Sequence, residues 1–138
     1  MSIELTVVTP QGEAFSGSVE AVVLPGSEGE FGVLERHERF LTALEPGVME
    51  VRTGDGTHWA AVSDGFADIS AERVVVMVDS HRRPDEIDLA EAREAEERVR
   101  GELADLGRSD ADERRRVALG RELARAQAQI TVHAKTRT

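Results

Sequence analysis

The sequence predicts an α+β chain, with an N-terminal antiparallel β-sandwich or barrel over residues 1–84 and a C-terminal antiparallel two-helix hairpin over residues 85–138. Three observations carry that reading. Up to Pro84, short β-branched runs alternate with glycine and proline, and beyond it that punctuation nearly vanishes. At the same place the apolar period shifts from the two of a half-buried strand to the three-and-four step of a helix. The charge balance then splits the tail into an acidic half and a basic half.

In chain order, Ile3, Leu5 and Val7 share one face of a strand, and Val19, Ala21 and Val23 do the same for another. Gly and Pro interrupt these runs at 10–12 and 25–29. Phe40–Leu44 leads through the turn signal Pro46-Gly47 into a strand at 48–52. The segment 53–57, with two glycines, separates it from 58–62. Asp64-Gly65 reads as a two-residue hairpin turn before 66–70. The continuous apolar run 74–78 is expected to be covered on both faces. Eight or nine short strands at this spacing indicate a sandwich or barrel.

After Pro84, Asp85 or Asp88 can cap a helix whose first turn is rich in acids, where the helix dipole favours them. Leu89, Ala92, Ala95, Val99, Leu103 and Leu106 form its apolar stripe. Gly107 ends it, and Ser109 or Asp110 can cap a second helix with the stripe Leu119, Leu123, Ala126 and Ile130. A connection this short makes the helices antiparallel, each roughly 27–32 Å long. Alanine-rich stripes and Gly120 inside the second helix predict weak anchoring, with a hinge near residues 82–85.

Charge excludes several functions. The chain carries 27 acids against 17 bases, a formal net charge of −10, which repels nucleic acid and anionic lipid. By segment the balance is −8 for 1–84, −8 for 85–113 and +6 for 114–138. Two readings of the last segment stand side by side. The oppositely charged helices attract one another, or Arg114, Arg115, Arg116, Arg121 and Arg125 form a basic edge for an acidic protein partner.

A search for chemistry returns little. With no cysteine there is no disulfide framework, thiolate nucleophile or Cys-based metal site. His37, His58, His81 and His133 show no metal-ligand spacing, so no metal site is expected. Neither Ser27 nor Ser63 sits in a nucleophile elbow. The glycine-rich 26–32 lacks the Lys-Ser/Thr of a phosphate loop, and Glu28 and Glu30 would repel phosphate. Glu28 and Glu30 as the carboxylate pair of a sugar-cleaving sandwich would need an aromatic platform, for which Trp59 alone is suited. No cofactor and no catalytic residue are expected. Lacking a signal peptide and any apolar run of about 20 residues, the chain is expected to be soluble and cytoplasmic.

The stretch Val22-Val-Leu-Pro-Gly-Ser-Glu-Gly-Glu-Phe-Gly-Val-Leu-Glu-Arg-His37, then Leu41-Thr-Ala-Leu-Glu-Pro-Gly47, resembles the epsilon subunit of bacterial F-type ATP synthases. So do Leu5-Thr-Val-Val-Thr-Pro10, Ser63-Asp-Gly-Phe-Ala-Asp-Ile69 and Glu86-Ile-Asp88 with the helices that follow. The resemblance implies a ten-stranded sandwich and two helices in a non-catalytic central-stalk subunit, peripheral on the cytoplasmic face of the membrane. Its implied partners are the gamma subunit, the c-ring, and the alpha and beta subunits of the catalytic head. It implies that Glu28, Gly29, Glu30, Phe31 and Gly32 lie near the c-ring, that His37 lies in the gamma region, and that the basic edge meets an acidic loop of beta. The helices would fold onto the sandwich or extend towards the head and restrain ATP hydrolysis.

Two departures from the family pattern stand out. Glu35-Arg36-His37-Glu38-Arg39 replaces the usual Pro-Gly-His-Ala-Pro. Glu91 stands where ATP-binding members resemble Ile-Asp-x-x-Arg-Ala, so nucleotide binding is expected to be weak or absent. A free-standing sandwich adaptor whose basic helix binds acidic partners is the second reading.

Overall fold

The computed structural model describes residues 2–33 and 39–135. Among them are ten strands: β1 (Ile3–Thr9), β2 (Gly12–Val19), β3 (Ala21–Gly26), β4 (Gly29–Val33), β5 (Phe40–Leu44), β6 (Gly47–Thr53), β7 (Gly56–Val62), β8 (Gly65–Ile69), β9 (Arg73–Val78) and β10 (His81–Arg82). A 3-10 turn (Pro84–Glu86) then leads into α1 (Leu89–Ala104) and α2 (Asp110–Ala134).

The strands follow the order β10-β7-β6-β3-β5-β8-β9-β1-β2, with β4 beside β3. Between β3 and β5 the path narrows to one pair, Gly26 opposite Leu44. There the sheet folds over into two layers, β10-β7-β6-β3-β4 and β5-β8-β9-β1-β2. Inward-facing side chains from both layers fill the space between them, alternating most regularly in β1 and β9. Leu5 and Val7 from β1, Val74 and Val76 from β9, and Met49 and Val62 from the other layer are almost wholly buried in one core. Pairing is antiparallel except between β1 and β9, which run parallel.

Three strand-level expectations are corrected. Val19, Ala21 and Val23 do not share a strand face, because β2 ends at Val19 and β3 begins at Ala21, with Val22 and Leu24 turned into the core. Asp64-Gly65 is not a hairpin turn, because β7 pairs with β6 and β10 while β8 pairs with β5 and β9. The dipeptide instead carries the chain from one layer to the other. Gly65 is there for close approach, since a Cβ on it would lie 2.0 Å from the Met77 carbonyl oxygen. Ser63 fixes the crossing by accepting from the N–H groups of Asp79 (2.8 Å) and Ser80 (3.1 Å) and donating to the Asp64 carbonyl (3.0 Å). The run 74–78, in turn, is covered on one face only: Val74, Val76 and Val78 are buried, while Met77 is 40% exposed on the other face.

The helix caps are Asp88, which accepts from the Glu91 N–H at 3.1 Å, and Ser109, which accepts from the Asp112 N–H at 3.1 Å. The helices are unequal, 16 and 25 residues, so α1 is about 24 Å and α2 about 37 Å long, not matched as expected. Leu119 and Ala126 are buried on the anticipated stripe. A second stripe escaped the period analysis. Ala128 and Val132 pack with Ala61, Val48, Trp59 and Ile87 in a small cluster separate from the main core. Val48, Trp59 and Ala61 point outward from the β6–β7 layer, so α2 covers that outer face.

Candidate functional site

The acidic glycine segment is the tip of the β3–β4 hairpin. Gly26 pairs with Gly29, leaving Ser27-Glu28 as a two-residue turn, and Gly29 takes φ +118°, open to glycine without strain. Phe31 is half-buried, its ring so close to Gly26 that a Cβ there would lie 2.8 Å away, and it sits 6.2 Å from the ring of Phe40. This stiff base leaves Glu28, Gly29, Glu30 and Gly32 exposed. His37 lies outside the described residues.

The five arginines do not form one edge. At about 100° per residue, Arg114, Arg121 and Arg125 fall within about 40° of one another on α2, on the stripe that continues into Ala128 and Val132. Arg115 and Arg116 point elsewhere. Arg115 reaches Glu102 of α1 at 3.0 Å, and Arg116 pairs with Glu113 and donates to the Gly107 carbonyl at 3.1 Å. Arg98–Glu122 and Arg115–Glu102 thus bind helix to helix, while Arg116 stays within α2 and its connection, so the mutual-attraction reading of the charge split holds for part of the basic segment. Arg121 lies 3.9 Å from Glu45 and Arg125 3.7 Å from Asp64, tying α2 to the sandwich.

A further surface went unnoticed in the sequence. On the outer face of the second layer, Val8, Met77 and Phe66 are neighbours across β1, β9 and β8, and Leu41 lies two strands from Val75 in the next row. Leu41 is 65% and Phe66 53% exposed. One signal was available, because β9 is apolar at every position from Val74 to Val78 and the pairs Val7-Val8 and Phe66-Ala67 break alternation in β1 and β8; among the described residues this face stays exposed, as interaction surfaces commonly do.

Where the sandwich joins the hairpin, Arg82, Glu86, Asp88, Glu91 and Gln129 line a cleft between the 3-10 turn, α1 and α2. Three carboxylates against one guanidinium suit a polyphosphate poorly. Beside it, burial holds the His81 imidazole below its ordinary value of 6.5, with Arg83 adding to the shift and Glu86 opposing it. The sugar-stacking idea loses its platform, because Trp59 lies on the α2-covered face with the Lys135 ammonium 5.0 Å from its ring centre.

Residues 2–84 match the family described as ATP synthase, Delta/Epsilon chain, beta-sandwich domain. The chain is similar to an ATP synthase epsilon chain of Nitratidesulfovibrio vulgaris, 40% identical over 124 residues that span 90% of this chain and 92% of the relative. It is also similar to that of Desulforamulus reducens, at 36% identity over 90% of this chain and 94% of the relative. Among solved structures it shares its fold with a chain of the Euglena gracilis mitochondrial ATP synthase, OSCP/F1/c-ring in rotational state 1 (TM-score 0.77, 24% identity, covering 99% of this chain and 81% of the other). It shares it too with a chain of the Tetrahymena thermophila mitochondrial ATP synthase central stalk and c-ring (TM-score 0.58, 13% identity, covering 100% and 98%).

Proposed function

The chain belongs to the ATP synthase epsilon-chain family, and on that premise we propose that it is a non-catalytic subunit of the central stalk that couples ring rotation to ATP synthesis and restrains ATP hydrolysis through its helical hairpin. The observation that carries this reading is the asymmetry of the sandwich. One outer face is occupied by α2 through a small apolar cluster, while the opposite face presents Val8, Leu41, Phe66 and Met77 to solvent.

Each surface suits one partner. The open apolar face fits the gamma subunit, since burying such side chains at about 25 cal/mol per Å² drives association. The Glu28–Gly32 turn, rigid and acidic, fits the polar rim of the c-ring. The Arg114–Arg121–Arg125 stripe fits an acidic surface of the alpha–beta head. Residues 1–84 serve as the torque-bearing body and residues 85–138 as the regulatory arm. No helix among the described residues is long and apolar enough to cross a membrane, and we place the subunit peripherally, on the cytoplasmic side of the membrane-associated complex.

The structure has the hairpin folded onto the sandwich. Release exchanges the contacts of Ala128, Val132, Arg121 and Arg125 for contacts with gamma and the head, a two-state switch that needs only a few kcal/mol of differential affinity. The adaptor reading is not favoured, because the match to epsilon chains extends over 90% of the chain. The test is removal of residues 85–138. Residues 1–84 should still assemble with gamma, alpha and beta, and the complex should hydrolyse ATP faster; unchanged hydrolysis would remove the regulatory half of the proposal.

A further inference from the structure

The stripe of α2 that faces the sandwich is half apolar and half basic. Ala128 and Val132 seat its C-terminal part on Ala61, Val48 and Trp59. One turn back, Arg125 meets Asp64 in the β7–β8 connection, and a further turn back Arg121 meets Glu45 in the β5–β6 connection. Beyond that point the helix has outrun the body. Val117, next along, is 59% exposed, and Arg114 has no ion pair among the described residues.

Both carboxylates come from stiff turns. Asp64 is flanked by Ser63, whose hydroxyl is triply hydrogen-bonded, and by Gly65, wedged against the β9 backbone. Glu45 donates its N–H to the Pro25 carbonyl at 2.8 Å, and Gly47 packs so tightly on Pro25 that a Cβ would lie 2.7 Å from it. With the backbone of both turns held this way, only the carboxylate side chains need ordering to receive an arginine. Neither pair is buried, so each contributes weakly and is screened by salt.

We propose that Glu45 and Asp64 are internal stand-ins for the acidic surface of the catalytic head, pairing with Arg121 and Arg125 while the hairpin is docked, so that Arg114 alone of the three is left without an intramolecular carboxylate among the described residues. The inference deepens the proposed function and rests on its two-position hairpin. Docking is then autoinhibitory for inhibition: the head must displace two intramolecular carboxylates before it captures the helix. The poise between positions follows ionic strength and is set in the sandwich, not in the hairpin alone.

The test uses the full chain carrying Glu45→Gln with Asp64→Asn, beside the full chain carrying Arg121→Gln with Arg125→Gln. Trp59 is the chain's single tryptophan and lies beneath Lys135, so its quenching by neutral acrylamide reports docking. The carboxylate variant should lower the docked-to-released ratio about fivefold at low salt. It should also lose the salt dependence expected of the unmodified chain. In the reconstituted complex it should deepen inhibition of hydrolysis, whereas the arginine variant loosens docking but weakens inhibition, having lost the groups the head recognises. Opposite signs from two variants that loosen the same contact are not expected of carboxylates that merely support the fold.

Wild-type quenching and salt dependence in the carboxylate variant would overturn the inference. So would looser docking with inhibition unchanged or weaker. If removal of residues 85–138 leaves hydrolysis unaltered, the underlying two-position reading fails and this inference with it. If removal raises hydrolysis while the carboxylate variant behaves as wild type, the stand-in role alone falls.

Discussion

Gly65 and Phe66 are chain neighbours with opposite assignments. Gly65→Ala drives a methyl into the Met77 carbonyl, backbone that has no rotamer to escape through, and should cost about 3 kcal/mol in a denaturant melt. Phe66→Ser removes a ring that is 53% exposed, so stability should change by no more than about 0.5 kcal/mol. Affinity for gamma should nevertheless fall about tenfold or more, read by titration calorimetry. A Phe66 variant that binds gamma normally would show that the open face is not the gamma surface. Arg114→Ala should likewise leave the free chain's stability alone while weakening inhibition, whereas Arg115→Ala, which leaves Glu102 of α1 paired with Arg98 alone, should affect only the hairpin. The helical step of about 100° that separates Arg115 and Arg116 from Arg114 was legible once the second helix was expected; which of those faces meets α1 and which meets the sandwich was not.

At the scale of elements, the hinge and the α2 seat decide behaviour. Val132→Ala empties part of a cluster separate from the main core. It should therefore release the hairpin to limited proteolysis at a cost of about 2 kcal/mol without lowering the melting point of the sandwich. His81 adds a pH dependence to β10, which pairs with β7 beside the hinge. Its folded pKa lies below 6.5, so the unfolded state binds the proton more readily. Stability is then full above the ordinary histidine value and is lost as pH falls through the depressed folded pKa. Protection of the β10 and hinge amides from exchange should fall on acidification, and His81→Gln should flatten that response. The sequence made the helices, their caps and their mutual stripe readable because each leaves a local periodic signal. The seat on the sandwich was hidden, since Ala128 and Val132 share their stripe with Arg121 and Arg125 and no apolar period emerges. Gly65 misled for a similar reason, because glycine is used both for turns and for close approach, and one residue letter does not distinguish the two.

On the scale of the whole molecule, a two-layer body carries an arm on one face and an unpartnered apolar surface on the other. Eight or nine short strands punctuated by glycine and proline were enough to predict a sandwich or barrel, and the change of period at Pro84 to predict the arm. Which face stays open was not predictable from β9, because an all-apolar strand reads the same whether its cover comes from this chain or from another. The acid-lined hinge cleft carries a further expectation: calorimetric titration of the full chain with ATP should give no micromolar affinity, and such affinity would mean that Glu91 does not repel phosphate there. The central claim, that one arm gates hydrolysis by changing position, is tested most directly with a reversible lock. The chain has no cysteine, so a pair introduced as Ala61→Cys and Ala128→Cys, which pack together when α2 is docked, can be oxidised within the assembled complex. Oxidation should abolish inhibition of ATP hydrolysis and reduction should restore it; equal inhibition in both states would contradict the account.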